Sequence, residues 1–275
     1  MRWTHPLAVR VVGLLLAATS FAATVGCGSG GPGPSGSGRL TVLLADAPAP
    51  QITSLTVTID RVEAGIDGVW TPIATTPQRF DLLDLVKNEA ILASTVLPAG
   101  HYTQIRLFPS SATVTDATGP HSVQMPSAAQ TGLKLNVDYD IGPNQVTSIL
   151  LDFNVNRSLV RQGNGQYSLK PVIPAVVALR SGTVTGSVTD GSGPIPGATI
   201  AAIYTAGDRY PIGTEVNSAV SVADGTYKVW ALLPGAYRIE AGYIDASTGS
   251  ATSGMKEDVV VTAGANTDAG TITVQ

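Results

Sequence analysis

Residues 54–64 read SLTVTIDRVEA, and their alternation sets the architecture expected for this 275-residue chain. Leu55, Val57 and Ile59 fall on one side of an extended backbone, and Thr56, Thr58 and Asp60 on the other. A strand apolar on one face only must lay that face on a second layer, so the pattern predicts a sheet packed on a sheet. The pattern recurs on both sides. RLTVLLADAP (39–48) gives an earlier strand, and residues 102–108, 133–137, 146–155 and 167–172 give later ones. Turn residues separate them: Asp67-Gly68 precedes Trp70, and Gly163-Asn164-Gly165 precedes Tyr167. One stretch, 82–96, spaces Leu82, Leu85, Val86, Ala90 and Leu92 near a 3.6 period, which predicts one short helix crossing an end of the sandwich.

Composition agrees with an all-β chain. Hydrophobic residues make up 44%, charged residues only 13%, and there are 30 Gly and 18 Pro. Charge at about half the usual share leaves Thr, Ser, Asn, Gln and Gly to cover the surface, which suits exposed sheet faces. The formal charge is −4, and no basic stripe offers itself to phosphates, so nucleic acid is not an expected partner. With a single cysteine, Cys27, there is no internal disulfide, and core burial must supply the stability.

That cysteine gives an address. Arg2 and Arg10 precede the apolar run VVGLLLAATSFAATV. At about fifteen residues it suits the core of a secretory signal and falls short of a membrane span. Thr24-Val25-Gly26-Cys27 resembles the bacterial lipobox, matching at Val25, Gly26 and Cys27 and departing at Thr24, where Leu is usual. The resemblance implies a diacylglycerol thioether on Cys27 as the new N-terminus. Residues 28–38 (GSGGPGPSGSG) then form a flexible tether. Gly28 is not the Asp that retains such proteins at an inner membrane, so the outer membrane is expected. The alternative is cleavage after Ala22 or Ala23 and a secreted soluble product.

The region 39–180 resembles the domain of unknown function 4382 family of bacterial envelope proteins. LTVLLADAP, LPAGHYTQIRL (97–107), PSAAQTGLKL (126–135), LDFNVNRSLV (151–160) and YSLKPVI (167–173) carry the resemblance, in family order. It implies a lipid-anchored β-rich domain without an accepted activity. From Thr183 the chain restarts with VTGSVTDGSGPIPGATIAAIY, SVADGTYKVWALLPGAYRIEAGY and DVVVTAGANTDAGTITV. This segment, 183–275, resembles a carboxypeptidase regulatory-like domain of the prealbumin-like type, which implies a seven-stranded sandwich that is not itself a peptidase. Pro196-Gly197 and Asp224-Gly225 are its turns, and Pro234-Gly235 is expected to set Trp230 and Tyr237 on paired strands. Pro98–Tyr102 repeats the Pro234–Tyr237 device.

The expected layout is thus a signal peptide (1–26), a lipidated Cys27 with its tether (27–38) and two β-sandwiches in tandem (39–180 and 183–275).

Little here suggests chemistry. Past the leader only His101 and His121 remain, both expected in exposed loops, and no GxSxG, HExxH or phosphate-binding glycine motif is present. No cofactor is expected. Asp81/Asp84 and Asp138/Asp140 are carboxylate pairs at a spacing common on solvated surfaces, and the second pair would share a strand face. Asp152, Asn154 and Asn156 would share a strand face too, either as a weak calcium candidate or as a polar face bonded to the following turn. Arg157 stands where a calcium loop would want glycine.

The expected function is a non-enzymatic, lipid-anchored envelope protein presenting its sandwiches for binding or adhesion to a glycan or protein. The alternatives are a structural or assembly accessory of an envelope complex and, more remotely, a hydrolase. Exposed aromatics among Trp70, Tyr102, Tyr210 and Trp230 would favour a glycan or peptide ligand. Buried ones would favour a structural role.

Overall fold

The computed structural model describes residues 35–46, 49, 51–86, 88–125 and 131–275. Cys27, the leader and both alternative cleavage sites lie outside them.

In the first sandwich, β1 (Ser37–Asp46) buries Leu40, Val42 and Leu44 and turns Arg39 outward. It lies between antiparallel β5 (Ala90–Pro98) and parallel β9 (Val146–Phe153), with β12 (Ala175–Val177) on the far edge of β9. The facing sheet is built on β2 (Ser54–Ile66), whose Leu55, Val57 and Ile59 all point into the core, as their alternation predicts. β2 pairs with β3 (Val69–Ala74), β4 (Gln78–Asp81) and the long β6 (Gly100–Asp116). β6 pairs in turn with β7 (Gly119–Gln124) and β8 (Leu133–Ile141). The hairpin of β10 (Leu159–Arg161) and β11 (Tyr167–Leu169) extends this sheet beyond β7.

The helix expected over 82–96 is corrected. Only Leu82–Leu85 turn, as a 3-10 helix that Asp81 caps, and from Ala90 the chain is β5. Ile91, Thr95 and Val96 suit a pleated strand, and the open edge of β1 offers an antiparallel ladder for the backbone groups that face it. A short α-helix, α1 (Val155–Ser158), instead follows directly after β9.

The second sandwich has seven strands: β13 (Gly182–Thr189), β14 (Thr199–Ala206), β15 (Glu215–Val220), β16 (Thr226–Leu232), β17 (Gly235–Ile244), β18 (Ala251–Val261) and β19 (Asn266–Thr273). One sheet runs β16-β13-β19 and the other β15-β14-β17-β18. This is the frame of the first sandwich over again. There β5-β1-β9 faces a sheet whose run is β3/β4-β2-β6-β8. The hand of each pair repeats too, since β13 is antiparallel to β16 and parallel to β19. β7, β10, β11 and β12 are additions to the first copy.

Local devices repeat with the frame. The chain crosses from one sheet to the other at β5→β6 and at β16→β17. At both crossings a fully buried tyrosine hydroxyl donates to the carbonyl four residues back: Tyr102 to Pro98 (3.1 Å) and Tyr237 to Leu233 (2.7 Å). The expectation that Trp230 and Tyr237 lie on paired strands is therefore corrected. They lie in opposite sheets, because Pro234 has no N–H to continue a ladder and the chain leaves its sheet there. Glycine opens both first strands. A Cβ on Gly38 would meet the carbonyls of Gly142 and Gln145, and one on Gly182 those of Thr262 and Ala265. In each copy the next residue, Arg39 or Thr183, donates its N–H to that second carbonyl.

Candidate functional site at the junction of the two sandwiches

The described residues belong to one compact unit, and the contact between the sandwiches is where its buried polar chemistry concentrates. Ala45, Leu150 and Val176, on the outer face of the β1 sheet, pack against Trp230 and Ala231 of β16. β16 can offer both residues because its pairing with β13 shifts register there and Ala231 takes φ +57°. Lys228 covers the indole with its ammonium 3.4 Å from the ring centroid.

Beside this apolar seam lies a closed network of four fully or nearly fully buried side chains, Asp152, Asn154, Asn217 and Ser218. Asn217 of β15 uses its whole amide. Its Nδ2 donates to Asp152 Oδ2 (2.6 Å) and to the Trp230 carbonyl (2.9 Å), and its Oδ1 accepts from Asn154 Nδ2 (3.0 Å) and the Ser218 N–H (2.9 Å). Asn154 Nδ2 also reaches the Ser218 carbonyl (2.9 Å), while its Oδ1 caps α1 by accepting from the Arg157 N–H. Asp46, fully buried at the end of β1, accepts the Val155 N–H at 3.0 Å. Burial pushes the Asp152 carboxyl up to about 6, only partly offset by the Asn217 hydrogen bond. Its second oxygen, Oδ1, is buried without a hydrogen-bond partner.

The three residues read from sequence as one polar strand face thus part company. The strand stops at Phe153, Asn154 turns the chain into α1, and Asn156 is left exposed on that helix. The side chains of Asp152 and Asn154 are joined again through Asn217 of the second sandwich. Asn217 and Ser218 escaped the sequence reading; the available signal was two adjacent polar residues between the apolar Val216 and Ala219-Val220 of a short strand, EVNSAV. Among the described residues no group of three or more His, Cys, Asp or Glu could hold a metal.

The histidines lie on strands rather than in loops. His101, on β6, is clamped between two carboxylates of β8: Nε2 to Asp138 at 2.7 Å and Nδ1 to Asp140 at 2.8 Å. Asp138 and Asp140 do share a face, as expected. The Asp140 hydrogen bond first, then the charge of Asp138, raises the His101 pKa above its ordinary value. When the ring is protonated both nitrogens donate, and the imidazolium then has no lone pair left to act as base or ligand. His121, on β7, bonds to Asp116 (3.0 Å), which also accepts from Thr118 and from the Tyr167 hydroxyl (2.7 Å). These donors, Thr118 foremost, hold the Asp116 carboxyl well below its ordinary range, and the cluster ties β11 to the β6–β7 hairpin. Asp81 is likewise structural, accepting from the Leu55 and Leu83 N–H groups, while Asp84 is exposed.

The aromatics are largely withdrawn from solvent. Tyr102 and Trp230 are buried and Tyr210 and Trp70 half-buried, Trp70 lying under the Arg106 guanidinium (4.1 Å). Arg106 and Arg61 both pair with the buried Glu63. No helix among the described residues is long and apolar enough to cross a membrane.

Solved structures similar to the chain include BcpA, the major pilin subunit of Bacillus cereus (13% identity, 87% of this chain and 71% of that one, TM-score 0.25). The shaft pilin SpaA of Lactobacillus rhamnosus GG gives 9% identity, 87% and 97% coverage and a TM-score of 0.22. The Bacillus anthracis TIE protein gives 11% identity and a TM-score of 0.23, with 87% of this chain covering 34% of that one, so the chain spans about a third of its length. No curated protein matches the chain significantly. Residues 37–171, which span β1 through β11 of the first sandwich, match the family described as Domain of unknown function (DUF4382).

Proposed function

We propose that this chain is a non-enzymatic, lipid-anchored protein of the cell envelope whose two sandwiches form one rigid structural body, held off an outer membrane by the tether after Cys27. The observation that carries this reading is the Asp152–Asn217–Asn154 network, which locks the sandwiches together through buried hydrogen bonds. Two domains on a loose linker would have no use for such a bond set, because burying polar groups costs stability unless each is partnered. The withdrawn aromatics favour a structural or assembly role over an exposed stacking platform for glycans. The doubly bonded His101 supports the non-enzymatic part. In this reading, 183–275 is the carboxypeptidase regulatory-like module that the sequence suggests, serving as a packing partner for the first sandwich.

Metabolic labelling with a palmitate analogue tests the anchor. Wild-type chain should label and fractionate with the outer membrane, and Cys27→Ala should do neither. Equal labelling of the two, or none of the wild type, overturns it. Limited proteolysis tests the body: the segment 171–183 should resist cleavage until the whole chain unfolds, and early release of an intact second sandwich overturns it.

A further inference from the structure

An edge strand carries a row of N–H and C=O groups that a strand of another chain can pair with, and folds guard such edges with short strands, charges, proline or kinks. Among the described edge strands nearly all are guarded. β4, β10 and β12 have four residues or fewer. β3 carries Pro72, β8 carries Lys134, Asp138 and Asp140, β15 carries Glu215 and β16 carries Lys228. β18 carries Lys256, Glu257 and Asp258, the last at φ +56°, and β19 carries Asp268 with a kink at Gly270, φ +72°.

β5 differs. Its nine residues, AILASTVLP, include no charge and no positive φ, and the proline comes last. Ile91 and Val96 on its outward face are 62% and 55% exposed. The ladder to β1 slips by one residue at Leu92, whose carbonyl accepts from Gln78 Nε2 (2.8 Å). Beyond that slip, Ala93–Leu97 is a regular stretch at the edge of the sheet. The repeated frame adds a second argument. β16 holds the place of β5 in the second sandwich, antiparallel to the first strand and leading into the tyrosine crossing. Its Trp230 and Ala231 are buried in the junction, whereas Ser94 and Val96 of β5 are exposed.

An uncharged edge suits an uncharged strand, and β5 suits itself. Antiparallel pairing about Thr95 sets Thr95 against its own copy and Ser94 against Val96, with Pro98 outside the ladder. The charge of Arg39 lies one strand further in, on β1. Two Arg39 residues would then stand three strand spacings apart, roughly 14 Å, beyond the Debye length of about 8 Å. We propose that β5 is a homodimer interface, at which two copies of this chain join their β1 sheets edge to edge through Ala93–Leu97 about a two-fold axis.

Sedimentation velocity of the full chain carrying Cys27→Ala, in which neither a lipid nor a thiol can join copies, tests this separately from the anchor. It should show a monomer–dimer equilibrium with Kd on the order of 10⁻⁵ M, weak because the interface is small. Ser94→Lys and Val96→Lys should each weaken the dimer about ten-fold, and together abolish it, because lysine then faces lysine. Their urea midpoints should stay at the wild-type value, since both side chains are exposed. Val260→Lys, on the guarded edge strand β18, should leave the dimer unchanged. Oxidation of a mixture of Ser94→Cys and Val96→Cys chains should link one chain of each kind. A chain that stays monomeric at about ten times the expected Kd overturns the proposal. So does a double-lysine variant that dimerises like the wild type, loss of the dimer in Val260→Lys, or cross-linking as efficient between like chains as between unlike ones.

Discussion

Raising the pH from 5 to 7 should weaken this fold through Asp152, and Asp152→Asn should remove that part of the pH dependence. The carboxyl is fully buried and its pKa is pushed from the ordinary 3.8 up to about 6. The folded protein therefore holds this proton more tightly than the unfolded chain does. The resulting stability is complete below about pH 4 and is lost as pH rises through about 6. A displacement of about two units corresponds to about 3 kcal/mol in all, of which roughly 1 kcal/mol falls between pH 5 and 7. His101, with its raised pKa, also favours the acid side, but equally in wild type and variant. The lowered carboxylates Asp116 and Asp245 lose their contribution only as pH falls below this window. The measurement is urea unfolding at pH 5, 6 and 7, followed by tryptophan fluorescence because Trp230 sits in the seam. The slope against pH, not the absolute stability, is the readout, since the new amide places an N–H2 where Asp152 Oδ1 finds no partner. Parallel curves for wild type and Asp152→Asn would refute the reasoning, as would a wild type that gains on the variant toward pH 7.

Asn217→Leu strips the hydrogen-bond donor from Asp152 Oδ2 and one from the Trp230 carbonyl, at about 1–3 kcal/mol for each group left unpartnered; a fall in urea stability below about 1 kcal/mol would contradict the network. Tyr102→Phe and Tyr237→Phe should each cost about 1 kcal/mol by differential scanning calorimetry, and similar losses at both sites are expected because the two bonds are equivalent. Gly38→Ala and Gly182→Ala should each lower Tm by an amount matching about 1–3 kcal/mol, since the added Cβ meets backbone carbonyls that cannot move aside; wild-type melting in either would show that the first strands sit less tightly than described.

Much of the fold was legible along the chain. Period-two runs located β1, β2, β6, β8 and β9, and Asp67-Gly68, Gly163–Gly165, Pro196-Gly197 and Asp224-Gly225 all mark real turns, with Gly68, Gly165, Gly197 and Gly225 at positive φ. The failure at 82–96 has a plain cause. Leu82, Leu85 and Leu92 are all buried, but by a 3-10 turn followed by a strand, and spacing alone does not separate the two when the neighbouring ladder is unknown. The site was half legible. Asp152 and Asn154 stand out as polar residues in an apolar run, yet their partners are 63 and more positions away.

What the sequence determined by itself is local: the strands, their buried faces and the turns, because alternation and glycine or proline geometry act within a few residues. The lipid-anchor reading also rests there, on the few residues around Cys27. Tertiary structure alone decided that the two sandwiches share one seven-strand frame, since pairing partners are set by register between distant strands. It alone turned Asp152, Asn154 and Asn217 into a single network, because a hydrogen bond between sandwiches exists only once both faces are in place. A polar side chain that reads as surface can then be fully buried.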